Sequence, residues 1–198
     1  MSFHQIPVHQ VATLRTALIS RSTITSKVAL VFGGVAFIGA MAQISLPIPG
    51  SPVPVTGQTL AVLLLGAAYG ANLGALTFLS YLAFAIVGAP ILADGSHGVS
   101  RLVGATGGYL VGMLLTSYIV GLLAERKWDQ RISTVIPTMI IGNVVTFTLG
   151  LAWLHHYTHQ SWSWTFSKGL SPFIIGEVIK IAIASTALPS VWRFVSKR

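Results

Sequence analysis

The chain has 198 residues, of which 53% are hydrophobic and only 8% charged, and its mean hydropathy is +0.76. A soluble domain carries about 25% charged residues, so this chain has too few to clothe a water-facing globule, whereas a lipid-facing surface should be apolar. The net charge of +8 forms no basic stripe of the kind that binds nucleic acid, and the lack of cysteine excludes disulfides, thiolate metal sites and cysteine nucleophiles.

Residues 1–27 are polar enough to lie outside the bilayer as a cytoplasmic segment. Val11, Leu14 and Leu18 share one helical face, with Arg15 and Arg21 elsewhere, which fits either a helix lying on the membrane surface or a frayed tail. Residues 28–193 hold six apolar stretches near the roughly 20 residues that span a bilayer: Val28–Ile44, Thr56–Gly70, Asn72–Val87, Leu102–Ala124, Thr134–Leu154 and Pro172–Val191. Ala40-Met41-Ala42 has the small-residue pattern of a signal cleavage site, but the polar leader is long and later spans already insert the chain, so the first helix is expected to stay. Only YGAN separates the second and third stretches; one long helix there would reduce the count to five. Residues 194–198 form a basic cytoplasmic tail. The expected fold is all-α, a polytopic six-transmembrane-helix bundle.

Orientation follows from Lys and Arg. With both termini on one side, nine bases gather there, at 15, 21, 27, 126, 127, 131, 193, 197 and 198, against Arg101 and Lys168 on the other. That bias places both termini in the cytoplasm and requires an even number of spans. The segment Leu46–Gln58 holds four prolines and no charge, so it is expected to be an ordered outer loop folded over the helix ends, or re-entrant. Val87–Arg101 and the aromatic-rich His155–Lys168 are the other outer loops, with Trp162 and Trp164 marking the interface. Small residues recur every four positions, at Gly66, Gly70 and Gly74, at Gly104, Gly108 and Gly112, and at Ala36 and Ala40, as close helix packing in lipid requires.

Glu177 and Lys180 are the sharpest chemical signal. They share one face of the last span, where each charge costs about 2.5–3.5 kcal/mol to insert. The pair either faces a ligand cavity or neutralises itself to specify packing. In GATGGYLVG, Gly107 and Gly108 would let a ligand approach the backbone closely, and Thr106 and Tyr109 add hydroxyls. Arg101 shares an outer loop with Asp94 and His97; nothing in their spacing demands chemistry, and the loop reads first as a solvated one, with attraction of an anion to the entrance by Arg101 as the alternative. His155 and His159 have the i, i+4 spacing of metal ligands, but no carboxylate or cysteine lies near them in sequence, and no metal site is expected. No Walker motif or G-x-S-x-G is present, so ATP hydrolysis would fall to another chain and an enzyme is not expected.

The segments PVPVTGQTLAVLLLGAAYG, YLAFAIVGAPILADG, GATGGYLVG and SPFIIGEVIK, in that order between Gln43 and Lys180, resemble the BioY family, the biotin-binding S component of energy-coupling-factor (ECF) vitamin transporters. Two positions depart from the family pattern: Ala105 stands where proline is usual, and Glu177 where aspartate is usual. The resemblance implies a plasma-membrane protein that takes up biotin as ligand, without a cofactor of its own. Its implied partners are a membrane-embedded coupling (T) component, docked at small residues of the first helix such as Ala36 and Ala40, and two ATP-hydrolysing subunits. It implies that Glu177 accepts the ureido N–H bonds, and that Lys180 holds Glu177 or pairs with the biotin carboxylate. Thr106, Gly107, Gly108 and Tyr109 would form a wall, Tyr81 and Asn143 would add polar contacts, and the loops carrying Gln58 and Arg101 would act as lids. Another vitamin or small hydrophobic solute is the alternative substrate; a metal-dependent membrane enzyme is the alternative from another class.

Overall fold

The structure, a computed structural model, describes residues 13–19 and 23–196. Among them the chain forms helices α1 (Leu14–Leu18), α2 (Ile24–Gln43), α3 (Gln58–Tyr69), α4 (Ala71–Ile86), α5 (Val99–Leu102), α6 (Gly107–Glu125), α7 (Ile132–Thr158), α8 (Trp162–Gly169) and α9 (Ile174–Val195). Two-residue strands β1 (Ser45–Leu46) and β2 (Val55–Thr56) pair antiparallel.

Helix ends follow local chemistry. The Thr23 hydroxyl accepts from the Ser26 N–H, so α2 begins four residues before the expected Val28. Between α3 and α4 the backbone breaks at Gly70, where φ is +83°, a conformation costly for any residue with a Cβ. Glu125 Oε1 then accepts from the Ala71 N–H at 2.9 Å, meeting a donor that the start of α4 would leave unpaired. The two helices fold back on each other: a Cβ on Gly74 would lie 3.2 Å from the Cα of Gly66. The YGAN link is therefore a hairpin, not the middle of one long helix.

Among the described residues, four helical stretches are long and apolar enough to cross a membrane: α2, α6, α7 and the run Trp162–Val195 that contains α8 and α9. The apolar helices α3 and α4 are shorter, with 12 and 16 residues. α3 runs through the middle of the bundle, in contact with α2, α4, α6 and α9, and most of its side chains are buried. Small residues make the close approaches. A Cβ on Gly112 would sit 2.8 Å from the backbone of Thr146, and one on Gly66 2.7 Å from the Ser117 carbonyl, so the predicted glycine spacing on α6 and α3 is spent on helix contacts. The outer rim is apolar, with Phe32, Leu76, Val144, Ile175 and Val178 among its exposed side chains.

Several boundaries differ from expectation. The expected loop His155–Lys168 is mostly helical. α7 continues to Thr158 and ends with His159 in the left-handed region. α8 then starts at Ser161, whose hydroxyl accepts from the Trp164 N–H. Pro172, where the last apolar stretch is expected to begin, lies in a 3₁₀ turn ahead of α9. The proline-rich segment is a strap closed at its base by the β1–β2 pair. Leu14 of α1 is buried beside Ala67, Ala124 and Leu188, while Leu18 is exposed, so α1 is docked into the bundle end; Val11 and Arg21 lie outside the described residues.

Candidate ligand-binding site

A cavity of about 240 Å³ opens at the end of the bundle where α3, α6 and α9 begin. The proline strap covers it with Pro47, Ile48 and Ser51 to Pro54, and the loop before α5 adds Leu92, Asp94 and Ser96. Its floor is polar. Lys180 Nζ donates to Glu177 Oε1 at 2.6 Å and to Thr59 Oγ1 at 2.7 Å, and the Thr59 hydroxyl donates to the same Glu177 oxygen at 2.8 Å. All three residues are buried. Glu177 Oε2 is buried with no hydrogen-bond partner among the described residues. A carboxylate oxygen in that state is costly unless something donates to it, which favours a cavity-facing role for the pair over simple mutual neutralisation.

The walls are aromatic and apolar. Tyr109 stacks on Phe173 and meets Phe147 edge-on, with centroids 6.2 and 5.9 Å apart. Its hydroxyl donates to the Gly169 carbonyl at 2.8 Å, so the ring is fixed from both sides. Leu110 and Met113 complete this face. Such a lining, apolar around a few convergent polar groups, suits a small organic ligand with one polar end.

Of the residues singled out in the sequence, Glu177, Lys180, Thr106, Tyr109, Gln58 and Arg101 line this cavity. The other four do not. Gly107 and Gly108 pack instead against the Leu102 carbonyl and against Trp153 of α7, so their missing side chains serve the close approach of α6 to its neighbours. Tyr81 is fully buried behind Gln58; it accepts from Gln58 Nε2 at 2.8 Å and donates to the Ile91 carbonyl at 2.9 Å. It therefore orients a lining residue and one loop. Asn143 is buried one helical turn from Phe147 on α7, and its amide has no partner among the described residues.

Sequence reasoning did not find Thr59, Phe147, Phe173 or Gln43. Gln43 ties the loop down, donating to the Leu92 carbonyl and accepting from the Gly95 N–H. Thr59 stands next to Gln58 in the PVPVTGQT run, a signal that singled out its neighbour only. His155, His156 and His159 form no metal-holding group among the described residues: His155 stacks on Trp162 with centroids 4.0 Å apart, and His156 meets His159 edge-on at 6.1 Å. Ala36 and Ala40 lie on the exposed side of α2, in a shallow apolar groove with Phe32, Phe84 and Pro90.

Comparison with known proteins places this geometry in a family. The family model described as the BioY family matches residues 11–197. A biotin transporter BioY of Thermotoga maritima is 33% identical over 150 residues, covering 76% of this chain and 86% of the relative. One of Rhizobium etli is 33% identical over 141 residues, covering 68% and 75%. Among solved structures, the crystal structure of an S-component for biotin from an ECF-type ABC transporter superposes with a TM-score of 0.76 at 24% identity, covering 87% of this chain and 95% of that one. These relatives are named as transporters and not as enzymes. With a polar floor under an aromatic cavity in an apolar helical bundle, and with the family model matched along nearly all its length, the chain belongs to the BioY family.

Proposed function

We propose that this protein captures biotin at the outer side of the plasma membrane and delivers it inward as the substrate-binding S component of an ATP-driven ECF transporter. The observation that carries this reading is the unpartnered Glu177 Oε2 at the buried floor of the cavity. It awaits an N–H donor, and the ureido ring of biotin supplies one. Lys180 fixes the carboxylate and keeps one N–H for the ureido oxygen, since two of its three donors are used. Tyr109, Phe147 and Phe173 pack on the bicycle. Arg101 and Thr106 stand toward the mouth, where the carboxylate of biotin would lie, and the proline strap with Gln58 closes over the ligand.

In this reading α2, α3, α4, α6, α7 and α9 are six spans with both termini in the cytoplasm. The hairpin at Gly70 and the short, enclosed α3 support that count, because a helix surrounded by others does not have to match the bilayer thickness itself. The T component would dock along α2 at Ala36 and Ala40, and two ATPase subunits would drive release.

Purified protein, denatured and analysed by mass spectrometry, should release biotin. Binding measured with labelled biotin and other labelled vitamins should show preference for biotin. Lys180→Ala should weaken it about tenfold or more, because Glu177 would lose its fixed orientation. Equal affinity in a folded, monodisperse variant would overturn the role of Lys180; preference for a different vitamin would overturn the substrate.

A further inference from the structure

The polar floor of the cavity is an ion pair closed into a ring by a third side chain. Thr59 Oγ1 has one hydrogen, which it gives to Glu177 Oε1, and it accepts one from Lys180 Nζ. Lys180 donates to the same Glu177 oxygen. The inner carboxylate oxygen therefore receives two hydrogen bonds and the outer one none. The ammonium group has three hydrogens and spends two within the ring.

From this valence count we infer that Thr59 is a positioning residue, which saturates the inner oxygen of Glu177 and one hydrogen of Lys180 so that the pair offers a ligand one acceptor and one donor side by side. Such a face matches the edge of a cyclic urea or lactam, where an N–H and a C=O lie next to each other. Without the threonine hydroxyl, Lys180 would hold a second free hydrogen. Glu177 Oε1 would also lose one of its two donors, and the carboxylate would be free to rotate between orientations that present either oxygen. Thr59 sits at the second position of α3, with its side chain in the cavity wall, so a rigid, enclosed helix sets the hydroxyl's place. This inference rests on the assignment of Glu177 as the acceptor for the ligand.

The test is a double-mutant cycle on the purified full chain, read by labelled-biotin affinity and, without ligand, by melting temperature in detergent. Thr59→Val keeps the side-chain shape and removes the hydroxyl. It should weaken biotin binding about tenfold or more in the otherwise native protein. In a Lys180→Met background, where the ring is already broken, it should cost less than about threefold. Thr59→Ser, which keeps the hydroxyl, should stay within about threefold of the native chain. The ligand-free melting cycle should show the same non-additivity. Two results would overturn the inference: Thr59→Val binding biotin as the native chain does, or losses in the two backgrounds that multiply, as simple packing damage would. A native chain that binds no biotin would sink the proposed substrate alone, and the ligand-free cycle would still decide whether Thr59 acts through Lys180.

Discussion

At the residue scale, the site turns on where two charges are tolerated. Glu177 and Lys180 stand out in an apolar run because few contexts stabilise charge at that depth, which is why they were legible in the sequence. Their third partner was not, since a threonine among hydrophobic residues carries no comparable penalty and the contact spans 118 positions. The same holds for Phe147 and Phe173, whose meeting with Tyr109 depends on how three helices pack. Glu177→Gln tests the charge itself. It keeps the shape of the side chain but leaves Lys180 buried without a counter-ion, a situation that costs about 3–5 kcal/mol when one partner of a buried pair is removed. Biotin affinity should fall at least about tenfold, and the melting temperature in detergent should fall with it. A loss of affinity with unchanged melting would mean that the pair contributes to recognition and not to the fold.

At the scale of elements, the loop joining α6 to α7 is fastened to the end of α9. Asp129 is fully buried there, and its Oδ2 accepts from Trp192 Nε1 at 2.6 Å while Oδ1 has no hydrogen-bond partner among the described residues. Burial pushes the Asp129 carboxyl up from 3.8 to about 6, against the smaller opposing effect of the Trp192 hydrogen bond. A carboxyl whose folded value is raised holds its proton more tightly in the folded state. Its contribution is therefore most favourable below about pH 4 and is lost as pH rises toward about 6, with no further change above that. Asp129→Asn keeps an acceptor for Trp192 and removes the ionisation. Its melting temperature should exceed that of the native chain at pH 7, by the equivalent of at most about 3 kcal/mol, and the two should converge near pH 4; a constant offset across that range would show that Asp129 does not titrate there. Helix termini like these explain where the sequence was hard to read. Long apolar helices announce themselves through composition, but α8 was read as a loop because its aromatic residues resemble an interface marker. The signal for it was local, the cap at Ser161 with Trp162 and Phe166 four residues apart and both exposed.

At the scale of the whole molecule, the distribution of bases and the direction of each helix make one joint prediction. The cavity lies at one end, together with Lys168 and Arg101, and the opposite end holds Gly70, Glu125 and the α6–α7 loop with Arg126, Lys127 and Arg131. If positive charge marks the cytoplasm, the cavity faces outward, where a solute must be caught before it is moved. The chain has no cysteine, so single cysteines can report this without background. Gln160→Cys, exposed between α7 and α8, should react with a membrane-impermeant maleimide added to intact cells. Ser196→Cys, exposed at the end of α9, should react only after the membrane is opened. Labelling of both from outside would place an even number of crossings between them, as would protection of both, and either result would overturn α9 as a single span. Labelling of Ser196→Cys alone would invert the molecule, turn the cavity toward the cytoplasm, and leave the proposed capture from outside without a route.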